Sequence, residues 1–414
     1  LLKNNKGNET MSKKSVNKRS RKYRRRRRRR ILFGVEIFVL VLLGVGLFGY
    51  MWLNNVMERM RPEELDTSKI QVNSEVQQNI EAMSGSQIIA VAGLDARGAA
   101  IDPEDDVKDL RNSQNSDTII LVCIDHDNKE IRMVSIMRDT WMNMEKPGQG
   151  YDFAKANSAY NRGGPEAMLS MLNTNLDLAI EDYVSVDWKV LADVIDVLGG
   201  LDIEMRNAEC VWANDYNKEV SAAQGVEYEP IEYNEEEDNE YREVHHLTGS
   251  QSLSYATNRK GRADDSLRTA RKLQVIKLMM EKVKKTTDKI PAIIDTAADN
   301  ITTSLSSSEM LQLAYSAVTY TMGTSYAYPF ELVYGQHVID ALGTDVVIPV
   351  TLYHNVIELH EYLYPGVSYT PSSVIEDYNY YIVQESGYGE SKIDSVMHQG
   401  PDTTAYSQVS GTGE

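Results

Sequence analysis

Residues 31–53, "ILFGVEIFVLVLLGVGLFGYMWL", are an apolar run interrupted by one charge, Glu36. About 20 such residues are what a helix needs to cross the hydrocarbon core of a bilayer. The run abuts "RKYRRRRRRR" at its near end, and Tyr50 and Trp52 stand at its far end, where an aromatic belt meets headgroups. Because basic flanks stay cytoplasmic, the pattern predicts one membrane span with residue 1 inside and residue 54 outside. No small-x-small cleavage pattern follows the run, which predicts a retained anchor rather than a removed signal peptide. The arginines then serve topology and contact with anionic membrane lipid, the other use of such a run being a nucleic-acid tail.

Charge divides the chain sharply. Residues 1–30 hold fifteen Lys/Arg against Glu9 alone, a charge of +14. The whole chain is at −18, so with Glu36 set aside residues 54–414 carry −31. A body this acidic does not bind nucleic acid or an anionic surface by bulk electrostatics, and any polyanion it handles must meet a local cationic site. Two cysteines, Cys123 and Cys210, make no disulfide framework for a domain of this size. Cys123 lies in an apolar strand and reads as a small buried thiol, with a bridge to Cys210 as the alternative. The seven histidines show no metal-ligand spacing, and His245-His246 reads as solvated. P-loop and G-x-S-x-G patterns are absent.

Residues 54–85 are polar without sustained periodicity and read as a stalk. Ordered patterning begins at "SQIIAVAGLDAR", where 87–93 read as a strand ending at Asp95 and Arg97. After a polar insertion (100–116), "DTIILVCIDHDNKEIRMVSIMRDTW" gives two apolar runs joined by "DHDNK", a β-hairpin pattern. The start of one hairpin strand and the end of the other lie at the same end of a sheet. Asp117 therefore meets Arg138 and Asp139, and Asp95 and Arg97 arrive there too if the first strand runs parallel to the third. Charged residues also punctuate strand ends in general, so this clustering alone does not define a site.

Helical patterns follow in "GGPEAMLSMLNTNL", with proline in the first turn, and in "DWKVLADVIDVLGG", from a candidate cap at Asp187 to a Gly-Gly stop. "LDIEM" reads as a strand, and residues 215–243, with "NEEEDNEYRE", as a long acidic loop. Helices "SLRTARKLQVIKLMMEKVKK" and "SSSEMLQLAYSAVTY" and strands "YAYPFELV" and "DVVIPV" complete the body near residue 350. The predicted class is α/β, a central mixed β-sheet flanked by helices and preceded by one transmembrane helix. The expected organisation is a basic tail (1–30), an anchor (31–53), a stalk (54–85), an extracellular catalytic domain (86–350), and an extension with a loose tail (351–414).

"SYATNRKGRADDSLRTARKLQ", residues 254–274, concentrates six cations in the acidic body. Asp264 or Asp265 can cap the helix that follows, and Arg268, Arg271 and Lys272 share one face of its first turns. The free N–H groups and dipole at that end favour an anion, and Arg259 can reach in from the preceding segment. A solvated basic face with its own capping aspartate is the alternative.

These motifs also stand in a familiar order: "GLDAR", "NSDTIILV", "VSIMRDTW", "KANSAYNRGGPEAM", "YVSVDWKVLADVIDVLGGLDIEM" and "YATNRKGRADDSLRTARK". In this the chain resembles the LytR-CpsA-Psr family, whose members transfer glycopolymers onto the Gram-positive cell wall. The likeness is strong over about 86–285 and looser to about 360. It implies a site for a polyprenyl-pyrophosphate-linked glycan, with Asp95 and Asp117 holding Mg²⁺ or Mn²⁺ and Arg138, Arg259 and Arg268 clamping the pyrophosphate. Asp265 falls on the family's acid in the basic segment and Arg271 on its next helix-face arginine, while Arg97 and Lys272 complete the cationic set. The lipid tail would lie in an apolar tunnel between sheet and helices. Three positions depart from the family's pattern: Thr257 replaces arginine, Ser266 an aromatic, and Lys272 glutamine.

The resemblance thus implies a membrane-anchored, extracellular phosphotransferase that moves a glycopolymer from its lipid carrier to peptidoglycan. Arg138 and Arg268 would stabilise the leaving phosphate, and Asp265 or Asp139 would act as base. The alternatives are a non-catalytic binder of the lipid-linked glycan, disabled by Thr257 and Ser266, and a membrane-attached regulator acting through the arginine tail.

Overall fold

Strands β2 (Ser86–Leu94), β3 (Ser116–Asp125) and β4 (Glu130–Ile136) are buried at most positions, as suits a sheet covered on both faces. The structure is a computed structural model that describes residues 64–76, 85–94, 115–258, 265–335 and 345–400, with part of 49–62. The chain divides into two units, Leu1–Glu58 and Arg59–Glu414, and the sheet belongs to the second. Among the described residues it has seven strands, in the order β1 (Arg61–Pro62), β10 (Ile301–Thr303), β7 (Asp182–Asp187), β2, β3, β4, β11 (Thr321–Tyr328). The hairpin pairs are antiparallel, whereas β2 runs parallel to β7 and β4 parallel to β11. The sheet is mixed, as expected.

Side chains alternate between its faces. Ala90, Ala92, Ile119, Leu121, Val134 and Ile136 pack with α1 (Ser158–Leu176), α8 (Leu352–Leu363) and α9 (Ser373–Ser386). Their neighbours Ile89, Ile120, Ile131 and Met133 face α5 (Asp265–Lys285) and α7 (Ser307–Thr319). On this second face Val91, Val122, Ile276, Met280 and Met322 are only partly buried, so the packing there is looser. A smaller cluster joins α2 (Trp188–Leu198), the antiparallel pair β8 (Leu201–Arg206) and β9 (Arg242–Leu247), α3 (Asn207–Gln224), α4 (Gly249–Thr257) and α5. Helix α6 (Ile290–Ala298) packs beside α2.

Several segments differ from the expectation. Residues 207–224 form helix α3, so only the later part of the expected 215–243 loop is irregular. The buried face of α3 is Cys210, Ala213, Asn217 and Val220, too small and polar to stand out as an apolar stripe. His245 is buried in β9, with Nε2 3.5 Å from Cys210 Sγ, whereas His246 is exposed and paired with Asp202. The helix started by Pro165 is preceded by a short helical piece, and the two meet at a break where Gly164 has φ +67°. Cys123 and Cys210 are free, buried and in different clusters, and burial pushes each thiol up to about 12. No helix among the described residues is long and apolar enough to cross a membrane, and the run 31–53 lies almost wholly outside them.

Parts of the expected stalk and extension are folded onto the domain. Arg61–Pro62 extends the sheet, and α8 and α9 contribute Val356, Leu359, Ile375 and Tyr378 to the main core. One buried carboxylate ties both segments down. Asp177, at the end of α1, accepts from Asn73 Nδ2 (2.5 Å), Tyr369 Oη (2.6 Å), and Ser372 N and Oγ (2.7 Å each). Removing it strands these donors in a buried site, at roughly 1–3 kcal/mol for each left unsatisfied. Asp177→Ala is expected to lower unfolding stability by about 3 kcal/mol in denaturant titration, with Asp177→Asn recovering part of the loss.

Candidate functional site

Leu94 pairs with Ser116, and Ile119 with Ile136, so the end of β2, the start of β3 and the end of β4 share one end of the sheet. The part of the expected clustering formed by Asp117, Arg138 and Asp139 is there. Asp117 Oδ1 accepts from Arg138 Nη1 at 2.8 Å, and Asp139 lies 3.8 Å from Arg138 Nε and 3.3 Å from Lys155 Nζ. Lys155 closes β6 (Phe153–Lys155), which pairs with β5 (Trp141–Asn143) just beyond Asp139. The chain then returns to the sheet end, where Asn157 N donates to the Arg138 carbonyl at 2.9 Å.

Helix α5 adds the third side. Lys272 Nζ donates to the Asp117 carbonyl at 2.9 Å and to Thr118 Oγ1 at 2.5 Å, which fixes the helix against the start of β3. Arg268 is buried one turn earlier, on the same helix face and nearer the N-terminal end. Arg138 and Lys155 thus flank the Asp117 and Asp139 carboxylates, and Lys272 holds the Asp117 main chain, which makes a local cationic cluster in a strongly acidic protein. Arg138 and Asp117 remain about 20% exposed, so a ligand can reach them. Guanidinium forks and the positive end of α5 are what a pyrophosphate requires.

Arg271 turns elsewhere. Its Nη2 donates to Glu209 Oε1 at 2.8 Å, both side chains are at most 4% exposed, and the guanidinium lies 5.5 Å from the Tyr255 ring centre. Glu209 also accepts from Arg206 N at 3.0 Å. Arg271 therefore anchors α5 to α3 rather than facing the sheet end. Thr257 ends α4 with its hydroxyl donating to the Leu253 carbonyl at 2.8 Å. Asp265 opens α5, but its side chain and that of Ser266, together with Asp95, Arg97 and Arg259, lie outside what the structure describes.

Residue-level reading missed Lys155 and Glu209. Lys155 begins the "KANSAYNRGGPEAM" motif, but a lone lysine gives no chemical signal until the fold sets it beside Asp139. Glu209 sits 62 residues from its partner Arg271. Among the described residues no group of three or more His, Cys, Asp or Glu could hold a metal ion. Asp117 offers one hard oxygen donor at the cationic end, the ligand type a divalent cation such as Mg²⁺ takes.

The LytR_cpsA_psr family model matches residues 50–323. A Bacillus subtilis (strain 168) protein named polyisoprenyl-teichoic acid–peptidoglycan teichoic acid transferase TagV is 28% identical over 209 residues, 49% of this chain and 49% of that protein. The chain thus spans about half the length of that relative. TagT of the same organism and activity name is 25% identical over 304 residues, 72% of this chain and 83% of that one. The crystal structure of protein gbs0355 from Streptococcus agalactiae superposes with a TM-score of 0.54 at 21% identity, over 74% of this chain and 96% of that chain, and shares the fold. The family match takes in the whole cationic sheet end, from β2 through α5, and the chain belongs to the LytR-CpsA-Psr family.

Proposed function

We propose that the protein transfers a glycopolymer from a polyprenyl-pyrophosphate carrier to peptidoglycan, leaving a phosphodiester link. The observation that carries this reading is the cationic sheet end, where Arg138 and Lys155 pair with Asp117 and Asp139 and Lys272 holds the Asp117 main chain. Its relatives TagV and TagT are named as transferases of teichoic acid to peptidoglycan. Arg138 and Arg268 hold the pyrophosphate oxygens, and Lys272 keeps the start of α5 against β3. A peptidoglycan hydroxyl attacks the glycan-bearing phosphorus, the bond to the bridging oxygen breaks, and polyprenyl phosphate leaves. Charge growing on that leaving group is met by preorganised guanidiniums, which need no reorganisation during the reaction. Asp139 or Asp265 takes the hydroxyl proton. Asp95 and Asp117 would hold Mg²⁺ or Mn²⁺, whose charge would neutralise the pyrophosphate.

The partly buried apolar side chains between the sheet and α5 suit the lipid tail, and the run 31–53 would keep the domain at the outer membrane surface where carrier and wall meet. A binding protein without turnover is the second reading, favoured by Thr257, whose hydroxyl is engaged inside its own helix. Calorimetric titration of the protein with a short polyprenyl pyrophosphate, with and without Mg²⁺, tests the site common to both readings. Binding that weakens at least tenfold in Arg268→Ala is expected, and absence of binding by the parent would overturn them both.

A further inference from the structure

The β5–β6 ribbon leads away from the cationic cluster. Trp141 pairs with Lys155 at the near end and Asn143 with Phe153 at the far end, beyond which residues 144–152 form a loop. Beside this loop lies a cleft of about 320 Å³, at the lower end of the range for small-ligand sites. Met144 and Met171 give it apolar lining, and Lys69, Lys146, Arg162 and Glu166 bring charges of both signs. The wall is close to the cluster in the chain: Asn157 bonds the Arg138 main chain, and Arg162 follows five residues later, roughly 8 Å along a helix.

An exposed ring adjoins the cleft. Phe153 stacks on Tyr381 at 4.8 Å, and Tyr381 stacks on Tyr151 at 4.3 Å. Tyr151 Oη donates to Asp377 Oδ1 at 2.8 Å, yet the residue stays 44% exposed. A core-anchored column of rings thus holds an aromatic group rigidly at the surface. Its neighbour Asp152 pairs with Arg162 of the cleft wall, joining ring and cleft into one surface.

We propose that this surface holds the acceptor, a glycan strand bearing zwitterionic peptide branches, and the inference rests on the transferase reading above. A pyranose presents C–H groups that stack on a fixed aromatic face such as Tyr151. A peptide with both amine and carboxylate finds opposite charges on the cleft, whereas a polyanionic donor polymer would call for cations alone. The ribbon then sets the acceptor beside the pyrophosphate without sharing its cations.

The test titrates the full-length protein in detergent micelles with disaccharide-peptide fragments released from peptidoglycan by muramidase, and separately with a short polyprenyl pyrophosphate. Tyr151→Ala and Lys146→Glu are each expected to weaken fragment binding about tenfold, Tyr151→Phe to stay within about threefold of the parent, and pyrophosphate affinity to be unchanged throughout. Equal fragment affinity in the parent, Tyr151→Ala and Lys146→Glu, or no fragment binding by the parent, would overturn the proposal. The fragment titration decides the acceptor surface even where pyrophosphate fails to bind, an outcome that counts against the transferase and binding readings of the cationic site and not against this surface.

Discussion

Replacing Arg138 by alanine is expected to lower glycopolymer transfer about 100- to 1,000-fold, the usual loss when one preorganised donor to a developing anion is removed. Arg138 is the guanidinium whose place in the site is best defined, fixed by Asp117 at 2.8 Å with its main chain held by Asn157. The pair is partly exposed, so its loss should cost at most about 1 kcal/mol of stability, and the variant should remain folded. Arg138→Lys keeps the charge but loses the planar fork, and an intermediate loss is expected. Initial rates of polyprenyl phosphate release, read beside a thermal melt, separate the two effects. An unchanged rate in a folded Arg138→Ala protein would remove this residue from the chemistry.

The second large effect is on stability. Glu209→Ala leaves the Arg271 guanidinium buried without its carboxylate, and breaking a buried pair on one side costs about 3–5 kcal/mol. Because α3 and α5 meet through this pair, the loss should appear as a lower denaturant midpoint for the whole domain. Replacing both partners by apolar residues of similar volume should recover much of it, since neither charge then remains unpaired. A Glu209→Ala protein as stable as the parent would show that water or another group already satisfies Arg271.

What could be read from the sequence follows from the range of the interactions. The β3–β4 hairpin was legible because two apolar runs flank "DHDNK", and its geometry alone brought Asp117 to Arg138. The order of motifs made the family legible, and helical spacing set Arg268 and Lys272 on one face of α5. Arg271 looked equivalent to them by helical spacing, but its direction is set by Glu209, which no local pattern links to it. Residues 54–85 read as a stalk because they are polar without periodicity. Part of that segment is tied down by Asp177, which collects donors from residues 73, 369 and 372 that no local pattern links. Helix α3 was read partly as loop because small and polar side chains form its buried face.

The central claim is phosphoryl transfer to the wall, as distinct from binding or hydrolysis of the carrier. The most direct measurement incubates the full-length protein with a lipid-linked glycopolymer, peptidoglycan strands and Mg²⁺, digests the product with muramidase, and examines it by mass spectrometry and phosphorus NMR. The account predicts glycopolymer joined to a peptidoglycan fragment through a single phosphodiester, with one polyprenyl phosphate released per link. Recovery of intact carrier, or of glycopolymer phosphate unattached to any fragment, would contradict it.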